Sequence, residues 1–362
     1  MNIPKLKIGD LNINIPIIQG GMGIGVSKAN LASAVANEGG VGVISGVQIG
    51  YAEPDFLTNT LEANVRALKK EIKKARNLSK EGIIGVNLMV AMTNYKEYVK
   101  TAINEKIDII ISGAGLPMEL PKFVKGSNTK IIPIVSSSKA ARIILKKWER
   151  YNHLPDAIIV EGAKAGGHLG FKAKDLIANT CKSLEEIVKN VLTMVSPYEE
   201  KYNKNIPVIA AGGIIDGNDI GKILSAGAQG VQMGTRFVAT DECDACDSFK
   251  EAYINSTKDD ICLINSPVGL PGRAINNSFI CKTQKGKIPI TKCFACLNTC
   301  NPAETPYCIS EALINSVQGN EGLVFSGSRA NEIKDIISVK DLMSKLKKEI
   351  DIFEIDNNNP PN

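Results

Sequence analysis

Residues 206–213 read Ile206-Pro-Val-Ile-Ala-Ala-Gly-Gly, and residues 230–235 read Gly230-Val-Gln-Met-Gly-Thr. An aliphatic run ends on Gly212 and Gly213, a helix starts from about Asp216, and a second aliphatic run ends on Gly234 and Thr235. This is the strand–helix–strand rhythm of a parallel sheet, whose strands are near-continuously apolar because both faces are covered. Working outward, like runs recur at Ile15–Gln19, Val41–Ser45, Ile83–Leu88, Ile107–Ser112, Lys130–Val135 and Asp156–Val160. With Ile206–Ala210 and Gly230–Gly234 they make eight. Helical patterns lie between them at Lys28–Asn37 (apolar at Leu31, Ala34 and Val35), Leu61–Ala75 and Lys139–Trp148. Eightfold alternation predicts an α/β fold of the closed (β/α)8 TIM barrel type, not an open doubly wound sheet.

A chain of 362 residues is within the range of one such barrel with insertions, and 44% hydrophobic residues permit a large core. The net charge of +5, from 43 basic and 38 acidic residues, is too mild to imply nucleic acid. The basic run Lys69–Lys80 mixes in Glu71 and aliphatics and reads as a solvated helix face. The start, Met-Asn-Ile-Pro-Lys, has no signal-like apolar region, and no apolar run approaches the ~18 residues that span a bilayer. The expectation is a cytoplasmic protein with no membrane partner; a homo-oligomer is compatible with it. Nine cysteines favour reduced thiols or a metal site over a disulfide framework.

After about Phe237 the rhythm stops. Asp241–Asn320 reads as irregular and rich in Cys, Pro and Gly, and a last helical pattern covers Val339–Lys348. The expected organisation is a barrel over 1–240, a Cys-rich C-terminal extension over 241–355 packed on it, and a disordered Asn/Pro-rich tail over 356–362.

Barrel active sites form where strands end at the C-terminal face. Glycines after the seventh and eighth strands let backbone N–H groups approach a phosphate, and Thr235 adds a hydroxyl; simple tight turns are the alternative. Gly20, Gly21, Gly23 and Gly25 do not fit the dinucleotide fingerprint G-x-G-x-x-G. Gln19–Met22 reads instead as backbone lying under a flat ligand. After the sixth strand comes Glu161-Gly-Ala-Lys-Ala-Gly-Gly-His168-Leu-Gly, carrying one of only two histidines. A histidine in a glycine-rich loop at this face is a catalytic candidate, since imidazole exchanges protons near neutral pH. His153, in the polar turn Tyr151–Pro155, reads as an ordinary surface residue. Asn87 ends the third strand and either meets a flavin ring edge or caps a turn.

Cys293, Cys296, Cys300 and Cys308 form C-x2-C-x3-C-x7-C, a spacing that can hold zinc or an iron–sulfur cluster; four reduced cysteines packing a small extension is the other reading. It is similar to the cluster loop of iron–sulfur ene-reductases, apart from the last interval. Cys243 and Cys246, in an acidic stretch, read as a helix start.

Ile17-Ile-Gln-Gly-Gly-Met, Gly85-Val-Asn, Glu161 to Gly170, Ala210-Ala-Gly-Gly-Ile and Gln232-Met-Gly-Thr together resemble the nitronate monooxygenase (2-nitropropane dioxygenase) family, which includes the flavin-dependent type II enoyl-acyl carrier protein reductases. The likeness runs in order over residues 13–240. It implies FMN in a barrel. Asn87, Glu161, Gly166 and Gly167 would lie at the flavin, and Gln19, Gly20, Gly21 and Met22 would pass near its ring. Gly212, Gly213, Gln232, Met233, Gly234 and Thr235 would line the phosphate and ribitol side, and His168 matches the active-site histidine. The implied reaction is oxidation of an alkyl nitronate, a small molecule, with dioxygen. The alternative is NAD(P)H-dependent reduction of an enoyl thioester. Glu161, where nitronate monooxygenases tend to have Gln, and Gly234-Thr-Arg-Phe lean toward the reductases. Ser266-Pro-Val-Gly-Leu-Pro-Gly-Arg and the cysteines lean the other way. A barrel lyase or isomerase with a phosphorylated substrate is a third, flavin-free reading.

Overall fold

A computed structural model describes residues 4–79, 81–298 and 300–358. Eight parallel strands close into a barrel: β1 (Ile17–Gln19), β2 (Val41–Ser45), β3 (Ile83–Met89), β4 (Ile109–Gly113), β5 (Lys130–Val135), β6 (Ile158–Glu161), β7 (Val208–Ala211) and β8 (Gly230–Met233). They neighbour one another in sequence order, and β8 pairs back onto β1 through Met233 and Gln19. All eight expected strands are present, with ends moved by one or two residues. Ile107 and Ile206 are buried but precede the ladders to which the sequence assigned them.

The aliphatic runs are continuous because the strands alternate between two cores. Ile18, Val43, Ile109, Ile111, Ile132, Ile159 and Ile209 fill the barrel. Ile17, Ile44, Ile110, Ile131 and Ile158, one residue out of phase, face the helical ring. Both directions are apolar, so no polar alternation is visible. A hairpin of Leu6–Ile8 and Leu11–Ile13, unforeseen from the sequence, plugs the bottom by adding Leu6, Ile8 and Ile13 to the interior set.

The helices run Ala29–Asn37, Thr60–Ser79 and Ser138–Glu149 where the sequence predicted them, each slightly displaced or extended. Lys69, Lys70, Lys73 and Lys74 are exposed, as expected of a solvated face; Lys80 lies outside the described residues.

Two expectations about the C-terminal third are corrected. Asp241–Asn320 is not irregular throughout: it holds helices Asp247–Ile254, Ser278–Lys285 and Ile309–Val317 and an antiparallel hairpin of Ile261–Asn265 with Pro271–Ile275. The final helix, Val339–Asn358, is longer than predicted and takes in residues 356–358 of the expected tail; residues 359–362 lie outside the described residues. Val339, Leu342, Met343, Leu346 and Ile350 on this helix join the layer between strands and helical ring, at the spacing of one helix face. Glu349 accepts from the Gly217 N–H of the helix after β7 at 2.8 Å. The last helix therefore completes the barrel's outer ring. The cysteine-rich region is an insertion in the chain between β8 and this helix.

Candidate active site

Adjacent registers bring the C-terminal strand residues into one rim. Ala211 pairs with Glu161 on one side and Gln232 on the other, and Ser45 pairs with Asn87. Above this rim lies a cavity of about 260 Å³. Gly20, Gly21, Met22, Asn87, Glu161, Gly166, Gly167, His168, Gly212, Gly213, Gln232, Met233, Gly234 and Thr235 all line it. Gln19 does not: it is fully buried below, its side-chain Nε2 donating to the Gly20 carbonyl and its Oε1 accepting from Val43 N–H at 2.9 Å. Its amide ties β1 to β2, so it supports the floor rather than facing a ligand.

The glycines are required here by geometry. A Cβ on Gly166 would stand 2.6 Å from the backbone of Ser326 and Gly327, and Gly213 adopts φ +82°, a left-handed conformation that disfavours other residues. Thr235 Oγ1 accepts from Gly327 N–H at 3.1 Å, which leaves the hydroxyl proton free to donate.

His168 departs from expectation in one respect. Gly167–His168 is not loop but a short strand, paired with Arg273 and Gly272 of the inserted hairpin. Ser266, buried at the start of the hairpin turn, places its Oγ 2.7 Å from His168 Nε2. Ser266 Oγ also accepts from Val268 N–H at 3.3 Å; with a second lone pair and its own proton, the hydroxyl can bond either tautomer of the ring. The Phe325 ring stands edge-on to the imidazole, centroids 5.0 Å apart. Burial among these groups pushes the imidazole down to about 4, so the ring is neutral at physiological pH. The same cause pushes Glu161 up to about 8, so its carboxyl is largely protonated there.

The sequence reading missed the residues from the insertion. Besides Ser266 and Phe325 these are Ser326, Gly327, Ser328 and Arg329, which close the side of the cavity next to Gly166 and Thr235. Arg329 bonds the Gly213 carbonyl at 3.1 Å and pairs with Asp219. Arg273 donates to the carbonyls of Ala163, at 2.8 Å, and Ala165, pinning the loop that carries His168. Arg236, part of the run that leaned toward the reductases, faces away from the cavity: it is buried against Asp335 Oδ1 at 2.9 Å and the Ala239 carbonyl at 3.1 Å. His153 is half-buried rather than freely exposed, with its ring edge-on to Trp148 at 6.0 Å, and it lies outside the cavity. Cys246 precedes helix Asp247–Ile254, as the acidic stretch predicted.

The cavity's fit to the FMN implied by the resemblance can be judged by its unpaired polar atoms. Ser45 Oγ, Gln232 Oε1, Ser326 Oγ and Ser328 Oγ are buried there without hydrogen-bond partners. Buried polar atoms ordinarily have partners. A ligand bearing a polar ring edge, hydroxyls and a phosphate supplies them, and the residues fit such a group. No helix among the described residues is long and apolar enough to cross a membrane.

The family model described as nitronate monooxygenase matches residues 5–349, nearly the whole chain, including the inserted region. A probable nitronate monooxygenase of Staphylococcus haemolyticus is 28% identical over 340 residues, covering 85% of this chain and 84% of that protein. One from Staphylococcus aureus is 29% identical over 295 residues, covering 75% and 78%. Among solved structures, FabK from Thermotoga maritima superposes with a TM-score of 0.72 at 28% identity, covering 95% of this chain and 94% of its own. The nitroalkane oxidase of Streptomyces ansochromogenes has a TM-score of 0.72 at 21% identity, covering 94% and 96%, a likeness of fold.

Proposed function

The chain belongs to the nitronate monooxygenase family and is an oxidoreductase, and from that premise we propose that it is an FMN-dependent enzyme oxidising alkyl nitronates with dioxygen. The observation that carries this reading is the state of His168. Buried against the Phe325 ring and bonded to Ser266 Oγ at 2.7 Å, the ring is held down to about 4, neutral at working pH and a weak base, so it serves as a hydrogen-bonding contact for an anion. It is poorly suited to serve as the proton donor that enoyl reduction needs.

FMN, when bound, supplies the acceptor for the substrate's electrons. Everything else falls to the chain. Gly212, Gly213 and Gly234 bring backbone close to the phosphate, with the Thr235 hydroxyl as donor. Gln232, Ser45 and Asn87 offer polar groups to the ring edge. Gly20 and Gly21 keep the floor free of side chains. The nitronate is already ionised, so no proton need move, and His168, held by Ser266 at 2.7 Å, orients the anion. Phe325 and the aliphatic wall of Ile24, Val26 and Val47 exclude water.

A second reading, enoyl-thioester reduction with NAD(P)H, is favoured by one observation. Glu161, pushed up to about 8, is a protonated carboxyl at the cavity and can donate where His168 cannot. Oxygen uptake by the FMN-loaded protein separates the two. We expect uptake with propionate 3-nitronate and with the 2-nitropropane anion, without nicotinamide. Turnover of crotonyl thioester with NADPH, and no uptake with any nitronate, would overturn the first reading in favour of the second.

A further inference from the structure

We propose that Cys293, Cys296, Cys300 and Cys308 are the ligands of an iron–sulfur cluster, a second centre separate from the flavin cavity and independent of the function proposed above. Four observations carry it.

All four cysteines line one cavity of about 310 Å³. A single water takes roughly 30 Å³ of liquid, so the space suits a polynuclear group rather than one ion. As placed, the sulfurs stand around its wall and no three of them converge on a point; metal thiolate sites commonly close only on binding.

Donors already face three of the sulfurs. Ala295 N–H donates to Cys293 Sγ at 3.4 Å, the Ser310 hydroxyl lies toward the Cys296 sulfur, and the backbone N–H groups of Ser310 and Glu311 lie toward that of Cys308. Cys308 occupies the N-cap of helix Ile309–Val317, beside the first exposed N–H groups of that helix. Hydrogen bonds to sulfur of this kind orient and tune metal-bound thiolates.

The rest of the cavity supplies no counter-charge. Its other lining residues, among them Ile290, Phe294, Leu297 and Ile309, include no Lys or Arg. Four cysteines gathered in an apolar wall without a cation fit a metal as the positive partner.

The surrounding chain is held by few regular elements. From 286 to 308 the described residues form no helix or strand beyond an isolated bridge between Met92 and Leu297, yet Phe294 and Tyr307 are buried. Structureless stretches of this length are uncommon in compact folds unless functional or stapled. In the C-x2-C turn Ala295 adopts φ +46°, a left-handed conformation unusual for a residue with a Cβ.

The test uses the full chain, expressed with iron and purified without oxygen, then stripped of flavin so that visible absorbance reports the cluster alone. We expect iron and acid-labile sulfide in equal amounts and a broad visible absorbance that bleaches with dithionite. Cys296→Ser and Cys308→Ser should each lose most of the iron. Cys281→Ser, at an exposed cysteine outside the cluster, should keep it. Circular dichroism and FMN rebinding establish that the variants are folded. Wild-type protein that holds zinc without sulfide overturns the cluster. So does protein that holds no metal after reconstitution with ferrous iron and sulfide, or iron retained in both folded variants.

Discussion

The barrel and the region inserted after β8 contribute to one cavity by opposite means. The barrel offers strand ends in fixed register: Glu161, Ala211 and Gln232 stand side by side because their backbones are hydrogen-bonded. The insertion offers side chains on hairpins and turns that reach the barrel through a few named contacts: Gly272 to His168, Arg273 to the carbonyls of Ala163 and Ala165, and Gly327 to Thr235. The barrel lays glycine-rich strand ends along the floor and wall of the cavity, and the insertion buries and orients the histidine above it.

The largest effect should come where the two regions meet the substrate. His168→Ala is expected to lower nitronate turnover by roughly 10- to 100-fold, the reach of one hydrogen bond to a charged group, while FMN absorbance stays unchanged. An equal loss of bound FMN would make His168 a structural contact instead. Next, Gly166→Ala drives a Cβ into the backbone of Ser326 and Gly327. We expect a loss of about 1–3 kcal/mol of stability, typical of overpacking, with weaker FMN binding by fluorescence titration. An unperturbed melting temperature would mean that the insertion sits looser than described. Arg273→Ala strands two carbonyls, each about 1–3 kcal/mol if left unsatisfied, and should reduce turnover roughly tenfold. Arg273→Lys should restore little, since an ammonium lacks the guanidinium fork. Ser266→Ala removes one hydrogen bond to neutral imidazole and should cost about 2- to 10-fold in kcat/KM.

The smallest effect is a shape. His168 is depressed by burial, so lowering the pH protonates it only near about 4, below the ordinary 6.5. Turnover should stay flat from about pH 7 down to about pH 5. Glu161 is raised by burial and loses its proton only near about 8. An alkaline limb there should vanish in Glu161→Gln. An acid limb near the ordinary histidine value would show that the insertion does not shield the ring.

The same contrast explains what the sequence made legible. Buried parallel strands write themselves as aliphatic runs, and the turns that must approach a ligand write themselves as glycine, so β7, β8 and their Gly212, Gly213 and Gly234 ends could be read directly. Sequence cannot say which way a side chain turns: the Gln19 amide turns to Val43, below the backbone that reads as the floor. The insertion's contributions rest on pairings across about a hundred residues, such as Ser266 with His168, which leave no local pattern. A local signal for the hairpin did exist. Cys262-Leu-Ile and Arg273-Ala-Ile flank a turn carrying Pro267 and Gly269, the latter at φ +81°. Phe325-Ser-Gly-Ser-Arg carries no such mark: two serines and a glycine become notable only when their unpaired oxygens are seen to face the cavity.

The most direct test of the central claim is the flavin absorbance of FMN-loaded protein mixed anaerobically with an alkyl nitronate, and separately with NADPH. The account predicts rapid bleaching or a new long-wavelength band with the nitronate, slow or no change with NADPH, and loss of the nitronate response in His168→Ala. Prompt bleaching by NADPH with a spectrum indifferent to nitronate would contradict it.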